Sequence, residues 1–341
     1  MPATRPSRRV KQATENHTDA YRGCRFRHPT LPYLLRLFCA VVAVVLVAID
    51  APQEAEAGNR VGRDVQLSET TVDVQPRFPI RAAFYYPWFP NAWDQGVPYP
   101  YTKYNPSLGL YASNNGAVVR RHIASMRYGG IEAGISSWWG RGDYTDRRLN
   151  ILLRVARQTP FRWSVYYEEE SLGDPSPVKI RRDLNYLKRQ YGSHPAYLRV
   201  NGRFVVFVYA DGGDGCDMAR RWRQANVPGA YIVLKVFPGY EDCPRQPHGW
   251  HQYSPAVPAD SQGHHSYSIS PGFNQAGREE RLPRQFARWR RNVRAMVQSD
   301  ARFQLVTTFN EWGEGTSVES ARQWRSPTGH GRYMDILRSI Q

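Results

Sequence analysis

The chain has 341 residues, of which 41% are hydrophobic, 22% are charged and 13% are aromatic. This composition excludes a disordered, collagen-like or coiled-coil chain and is sufficient for one large domain with a sizeable core. The formal net charge of +16 permits binding to nucleic acid or to an anionic surface but demands neither.

The first 57 residues are typical of a leader rather than of a folded domain. An uncharged apolar run covers residues 37–49, and Ala55-Glu56-Ala57 follows with the small-x-small pattern that signal peptidase recognises. Because a membrane span needs about 20 apolar residues, residues 1–57 are predicted to be a signal peptide, with a signal anchor as the alternative. Residues 58–77 are predicted to be a polar linker. The chain is therefore expected to be secreted and extracellular, or anchored in the cell envelope.

Eight short runs rich in β-branched and aromatic residues follow the linker and predict strands. In chain order they cover residues 80–86, 131–139, 162–168, 204–210, 230–237, 250–254, 265–270 and 303–309. Helical patterns lie at residues 116–128, 147–157, 177–191, 217–225, 283–298 and 332–340. This alternation predicts an α/β fold, a (β/α)8 TIM barrel that forms a single catalytic domain over residues 78–341.

Two connections of this barrel, after the fifth and sixth strands, are too short or too rich in proline to predict helices. A doubly wound open sheet is the structural alternative, but that fold normally has a glycine-rich turn after its first strand. The sequence has Pro87-Trp88-Phe89-Pro90 at that point, which favours the barrel. The densest basic run, residues 278–294, carries apolar residues at helical spacing and predicts an amphipathic helix rather than a nucleic-acid site.

Aromatic and acidic residues gather where the predicted strands end, which is the face of a barrel that carries catalytic groups. The candidates for substrate contact are Tyr86, Trp88, Trp138, Trp139, Tyr167, Glu168, Asn310 and Trp312. Aromatic rings stack on the apolar faces of sugars, while carboxylates and amides hydrogen-bond sugar hydroxyls. The strand ends are therefore typical of a carbohydrate site.

The segment after the eighth predicted strand carries two glutamates, Glu311 and Glu314. Gly313 and Gly315 provide the backbone freedom for a tight turn in which both side chains face one site. Glycoside hydrolysis needs two carboxyl groups, one protonated to donate to the leaving oxygen and the other ionised. An exposed helix face would show the same spacing, but the buried strand before the pair favours the catalytic interpretation.

The segment FNEWGEGTSVESA at residues 309–321 resembles the Asn-Glu-Trp-x-Glu-Gly-Thr signature of glycoside hydrolase family 99, the endo-α-mannosidase and endo-α-mannanase family. Four other segments resemble landmarks of that family in the same order: AFYYPWF, GGIEAGISSWWG, VYYEE and SISPGFN. The resemblance spans about residues 80–322. It implies a (β/α)8 barrel that cleaves internal α-mannosidic bonds with retention, the 2-hydroxyl of the sugar acting as the nucleophile.

The resemblance also implies roles for individual residues. Glu311 would deprotonate or polarise the 2-hydroxyl, and Glu314 would act as general acid and then as general base. The residues implied to contact the sugars are Glu168, Tyr86 and either Trp138 or Trp139. The resemblance implies no cofactor and no catalytic metal.

The sequence departs from the family pattern at Gly313, where mannosidases of the family usually carry histidine, and at residues 317–320, where Gln-Ile-Glu-Pro is usual. The catalytic pair is retained, so the expected substrate is an α-linked polysaccharide or oligosaccharide with a free 2-hydroxyl. A surface-polysaccharide biosynthesis enzyme and a non-catalytic glycan-binding barrel are the alternatives. The chain is expected to bind no nucleic acid and to be a monomer.

Four cysteines are present, and two of them, Cys24 and Cys39, lie in the predicted leader. Cys216 and Cys243 remain, and a disulfide between them is expected in an oxidising compartment. They follow the fourth and fifth predicted strands, whose loops lie side by side on one rim of a barrel. Two free buried thiols are the alternative.

Overall fold

The computed structural model describes residues 72–94 and 101–340, so the predicted leader and most of the predicted linker lie outside the described residues. Its strands are β1 (Ile80–Tyr85), β2 (Ala133–Trp138), β3 (Arg162–Tyr167), β4 (Arg199–Val200), β5 (Arg203–Val208), β6 (Ala230–Lys235), β7 (Gly249–His251), β8 (Ala259–Ser261), β9 (Ser266–Ile269) and β10 (Phe303–Val306). Its α-helices are α1 (Gly116–Tyr128), α2 (Tyr144–Ala156), α3 (Pro177–Leu187), α4 (Cys216–Ala225), α5 (Phe286–Gln298) and α6 (Arg332–Arg338). Within this part of the chain, no helix is both long and apolar enough to cross a bilayer.

The strands form one curled sheet in the order β7-β6-β5-β3-β2-β1-β10-β9-β8. Eight of them run parallel, while the short β4 and β8 pair antiparallel with β5 and β9. The first parallel strand pairs with the last, Ala82 lying opposite Leu305. The strand order has no reversal, whereas a doubly wound sheet reverses at its switch point. The predicted (β/α)8 barrel is confirmed.

The helices begin where the sequence offers a capping side chain. Asn115, Asp143 and Ser176 each accept a hydrogen bond from a backbone N–H in the first turn of α1, α2 and α3. The connections after β6 and β7 contain no α-helix in the described residues, as their length and proline content predict. Helix α5 buries Trp289 and Val293 and is the amphipathic helix that the basic run predicts.

Side chains along each parallel strand alternate between the interior of the barrel and the helix layer. On β3, Tyr167 faces the helices, where its hydroxyl donates to Asp183 of α3 at 2.9 Å. Tyr166 faces the interior, and its ring centroid lies 4.9 Å from that of Phe84 on β1. This alternation decides which residues at the ends of the strands can reach the site.

Residues 72–77, which the sequence places in the linker, pack against the base of the barrel. Arg162 is buried at the start of β3, and its guanidinium donates to the carbonyl of Val72 at 2.8 Å. Arg199 forms an ion pair with Asp73. Because a buried guanidinium needs acceptors, this segment belongs to the folded domain, which begins earlier than the sequence predicts.

Candidate active site

Glu311 and Glu314 lie in the turn that follows β10 and are 3% and 8% exposed. The backbone N–H of Glu311 donates to the hydroxyl of Thr308 at 2.8 Å, which fixes the start of the turn. Gly315 has a φ of 65°, and a Cβ at this position would lie 2.4 Å from the carbonyl oxygen of Asn274. The turn therefore requires glycine at this position.

The carboxylate of Glu311 is hydrogen-bonded through only one of its two oxygens among the described residues. Its Oε1 accepts from the hydroxyl of Tyr101 at 3.1 Å and from the backbone N–H groups of Gly313 and Glu314 at 2.8 and 3.2 Å. Its Oε2 is buried and has no hydrogen-bond partner among the described residues. Three donors to one carboxylate favour the ionised form, which is the form of a base.

Glu314 has a different set of partners. Its Oε2 accepts from the hydroxyl of Tyr253 at 2.7 Å, and this is its one side-chain hydrogen bond among the described residues. Burial raises the pKa of both glutamates, and the charge of Glu314 raises the pKa of Glu311 further. Because neighbouring carboxylates in a buried site resist being ionised together, one of the pair holds a proton more readily. The hydrogen bonds rather than these pKa shifts assign the roles: three donors stabilise the charge of Glu311 and one stabilises that of Glu314, so Glu314 is the proton donor.

Two further polar side chains reach the same site. Glu168 follows β3 and is fully buried, and neither of its carboxylate oxygens has a hydrogen-bond partner in the described part of the chain. Burial raises the pKa of Glu168 to about 8, with a smaller contribution from the charges of Glu311 and Glu314 and an opposing one from the Ser137 hydroxyl. Burial, followed by the charges of Glu168, Glu314 and Glu311, raises the pKa of Tyr86, whose hydroxyl also lacks a hydrogen-bond partner among the described residues.

Unpartnered buried oxygens are rare in folded proteins, and each needs an explanation. Here Tyr86, Glu168 and Glu311 all contribute one or two such oxygens to one site. A ligand rich in hydroxyl groups would supply the missing donors and acceptors. The site is thus arranged for a polar, polyhydroxylated molecule.

Tryptophans border this site. The ring centroid of Trp88 lies 4.5 Å from that of Tyr86, and its indole N–H donates to the hydroxyl of Ser137 at 3.2 Å. Trp139 is half-buried, whereas Trp138 is fully buried. Of these two neighbours, Trp139 is the one whose ring remains accessible for stacking on a sugar.

Four predicted substrate contacts lie behind the site, because their side chains point into the protein. On β2 and β3, the indole of Trp138 donates to Asp146 and the hydroxyl of Tyr167 donates to Asp183, both at 2.9 Å. In the turn after β10, the indole of Trp312 donates to Tyr111 at 3.1 Å, and the amide of Asn310 donates to the Tyr86 carbonyl at 2.9 Å. On β2 and β3 this follows from strand alternation. These residues support the residues of the site from behind.

Four tyrosines outside the predicted set of contacts also belong to the site: Tyr101, Tyr166, Tyr209 and Tyr253. Tyr101 and Tyr253 donate to the two catalytic candidates, and the charges of Glu168 and Glu314 act on Tyr166 and Tyr209. Tyr166 stands two residues before Glu168, so strand alternation could have selected it. Tyr101 lies outside every predicted strand and helix and carries no such signal.

The rim also holds the predicted disulfide. Cys216 and Cys243 are bonded, with their Cα atoms 5.3 Å apart. The bond joins the first residue of α4 to the loop after β6. Next to it, the guanidinium of Arg221 pairs with Asp214, Asp174 and Glu170, so one positive charge is shared among three carboxyl groups.

A (β/α)8 barrel with a pair of buried, differently hydrogen-bonded glutamates after its last strand is typical of a glycoside hydrolase. A model of glycosyl hydrolase family 99 matches residues 89–229. The chain is 22% identical over 332 residues to the glycoprotein endo-alpha-1,2-mannosidase of Rattus norvegicus, covering 74% of this chain and 70% of the relative. The Xenopus laevis enzyme of that name is 22% identical over 331 residues, covering 74% and 72%.

Solved structures show the same fold. The family 99 endo-alpha-mannosidase from Bacteroides thetaiotaomicron has a TM-score of 0.63 at 20% identity, covering 78% of this chain and 97% of that one. A glycoside hydrolase-like protein has a TM-score of 0.56 at 16% identity, covering 80% and 95%. The chain is thus similar to glycosyl hydrolase family 99 in sequence over residues 89–229 and in its barrel fold, and this similarity supports a glycoside hydrolase that acts on a glycan.

Proposed function

We propose that this chain is a retaining, endo-acting α-glycosidase that cleaves internal α-linkages of a mannan-like polysaccharide or glycan through the 2-hydroxyl of the sugar. The observation that carries the proposal is the unequal hydrogen bonding of Glu311 and Glu314 at one buried site. The endo-alpha-1,2-mannosidases to which the chain is similar support the choice of an α-mannoside.

In the first step, the free Oε2 of Glu311 takes the proton of the 2-hydroxyl. The 2-oxygen attacks the anomeric carbon and closes a three-membered ring, while Glu314 gives its proton to the departing glycosidic oxygen. In the second step, Glu314 takes a proton from water, and the water oxygen opens the ring at the anomeric carbon. Glu311 returns its proton to the 2-oxygen. Two inversions at the anomeric carbon give net retention.

Glu168 and Tyr86 bind the sugar undergoing reaction. With a pKa of about 8, Glu168 holds a proton at neutral pH, so it can donate one hydrogen bond to a sugar hydroxyl and accept others. The Tyr86 hydroxyl can likewise donate and accept. These groups contribute binding and orientation and take no part in proton transfer.

The test is hydrolysis of a panel of α-linked polysaccharides, with the first-formed anomer followed by NMR. Glu314→Gln should lower activity on natural linkages about 10²–10⁴-fold while sparing aryl glycosides with good leaving groups. Glu311→Gln should lower activity on both substrates, since the internal nucleophile must be activated whatever leaves. Glu279→Gln, at an exposed site, is the control.

Equal losses for Glu314→Gln on the two kinds of substrate would contradict its role as the acid. An inverted first product would contradict the retaining mechanism. Binding of an α-glycan without hydrolysis would favour the glycan-binding barrel instead, and net bond synthesis from an activated sugar would favour the biosynthetic enzyme.

We also propose that the chain acts as an exported monomer. The uncharged run at residues 37–49 and the disulfide between Cys216 and Cys243 support export to an oxidising compartment. Fusing residues 1–57 to a reporter enzyme that is active only after export tests this. Reporter activity released into the medium is expected; activity retained in the membrane fraction would indicate an anchor, and none would contradict export.

A further inference from the structure

Tyr101 and Gly313 are in direct contact next to Glu311. A Cβ atom at Gly313 would lie 2.7 Å from Cζ of the Tyr101 ring and 2.8 Å from its hydroxyl oxygen. Gly313 does not have a positive φ, so its backbone conformation is open to alanine. The constraint at this position is therefore the Tyr101 ring rather than the turn, and a side chain at position 313 would displace that ring.

The Tyr101 ring is held in place from its other side. It packs edge-on against Phe89 and Trp93, with ring centroids 6.2 and 5.9 Å apart. Its hydroxyl donates to Oε1 of Glu311 and is the one side-chain donor to this carboxylate among the described residues. The two remaining donors are backbone N–H groups of the turn itself. Tyr101 is thus the one partner of this carboxylate that a single substitution can remove.

We propose that Tyr101 is a positioning residue for Glu311. Its hydrogen bond holds Oε1, so that Oε2 faces the substrate, and it favours the ionised carboxylate. Gly313 provides the space that the Tyr101 ring requires. The inference rests on the proposed function, in which Glu311 is the base. It explains why Gly313, the residue directly before Glu314, has no side chain.

Tyr101→Phe keeps the ring and removes the donor. We expect kcat/KM to fall about tenfold at pH 5–6, with little change in KM. The loss should shrink as the pH rises toward 8, because the carboxylate regains its charge without the hydroxyl. The acidic limb of the pH profile should therefore move to higher pH. Tyr128→Phe, at a half-buried tyrosine of α1 that packs against His330 and Arg338, is the matched control, and an unmoved acidic limb in Tyr101→Phe would overturn the proposal.

A double-mutant cycle tests the role of Gly313. In the wild-type background, Gly313→Ala should lower kcat/KM about tenfold by displacing the ring. In a Tyr101→Ala background, the space is already free, so the same substitution should cost less than about twofold. Equal costs in both backgrounds would show that Gly313 acts independently of Tyr101. Thermal denaturation of each variant checks that it is folded.

The two proposals fail in different ways. A wild-type chain that hydrolyses no α-linked glycan would refute the proposed function and leave the positioning of Glu311 to be measured directly. In protein labelled with ¹³C at glutamate carboxyls, NMR titration with Glu311→Gln as the assignment control gives the midpoint for Glu311. This midpoint should lie at higher pH in Tyr101→Phe than in the wild type, and an unchanged midpoint would overturn the inference.

Discussion

At the scale of single residues, the active site holds groups that oppose folding. Glu168 is fully buried and none of its carboxylate oxygens has a hydrogen-bond partner among the described residues, so its pKa in the folded chain is about 8 against 4.5 for an ordinary glutamate. When the pKa of a carboxyl group is higher in the folded chain than in the unfolded chain, its contribution to stability is complete only below the pKa of the unfolded chain. This contribution is lost as the pH rises through the pKa of the folded chain. Near neutral pH, Glu168 therefore destabilises the fold.

We predict that Glu168→Gln raises the free energy of unfolding while it lowers activity. Glutamine has the shape of the protonated glutamate but binds no proton. It therefore removes the free-energy cost of keeping Glu168 protonated in the folded chain at neutral pH. The gain should reach up to roughly 4 kcal/mol at pH 7.5 and should vanish below pH 4.5. Urea denaturation at pH 4, 6 and 7.5 measures it, with Glu279→Gln as the exposed control. A loss of stability at pH 7.5 would mean that the Glu168 carboxylate has favourable partners in the folded protein.

At the scale of elements, hydrophobic patterning was sufficient to locate all eight parallel strands. It failed at the strand ends, where adjacent residues face opposite ways. Tyr167 was selected although it faces α3, and Tyr166 was not selected although it faces the site. Because side chains two residues apart on a strand face the same side, counting back from Glu168 would select Tyr166 instead of Tyr167. Tyr101 could not have been found in this way, since its position depends on tertiary packing against Glu311.

The disulfide joins helix α4 to the loop after β6, and we predict that it stabilises this rim of the barrel. Cys216 and Cys243 are 27 residues apart in sequence. Closing a loop of this length lowers the entropy of the unfolded chain by an amount worth roughly 3–4 kcal/mol. The double substitution to serine should lower the free energy of unfolding by about this amount. Reduction of the wild type should reproduce the effect, and an unchanged urea midpoint would contradict it.

At the scale of the whole molecule, buried titratable groups of two kinds act in opposite directions on stability. Burial raises the pKa of Glu168 to about 8, of Glu170 to about 7 and of Asp214 to about 6. Burial lowers the pKa of His251 to about 3 and of His265 to about 4. The carboxyl groups contribute stability that is lost as the pH rises toward 8. The imidazoles, neutral in the fold, contribute stability that is present above pH 6.5 and lost as the pH falls below it.

These two contributions predict a stability maximum on the acidic side of neutrality. Between pH 6.5 and 8 the imidazoles are neutral in both the folded and the unfolded chain, so they do not affect how stability changes with pH. In this range each carboxyl group that stays protonated in the fold lowers the free energy of unfolding by up to about 1.4 kcal/mol per pH unit. Below pH 4.5 the carboxyl contribution is complete, and protonation of His251 and His265 in the unfolded chain lowers stability. Between pH 6.5 and 4.5 the three carboxyl groups together gain more stability than the two imidazoles lose, so the urea midpoint measured from pH 4 to pH 8 should peak at about pH 4.5. Glu168→Gln should flatten the alkaline side of this curve, and a midpoint that keeps rising up to pH 8 would show that these carboxyl groups are ionised in the folded protein.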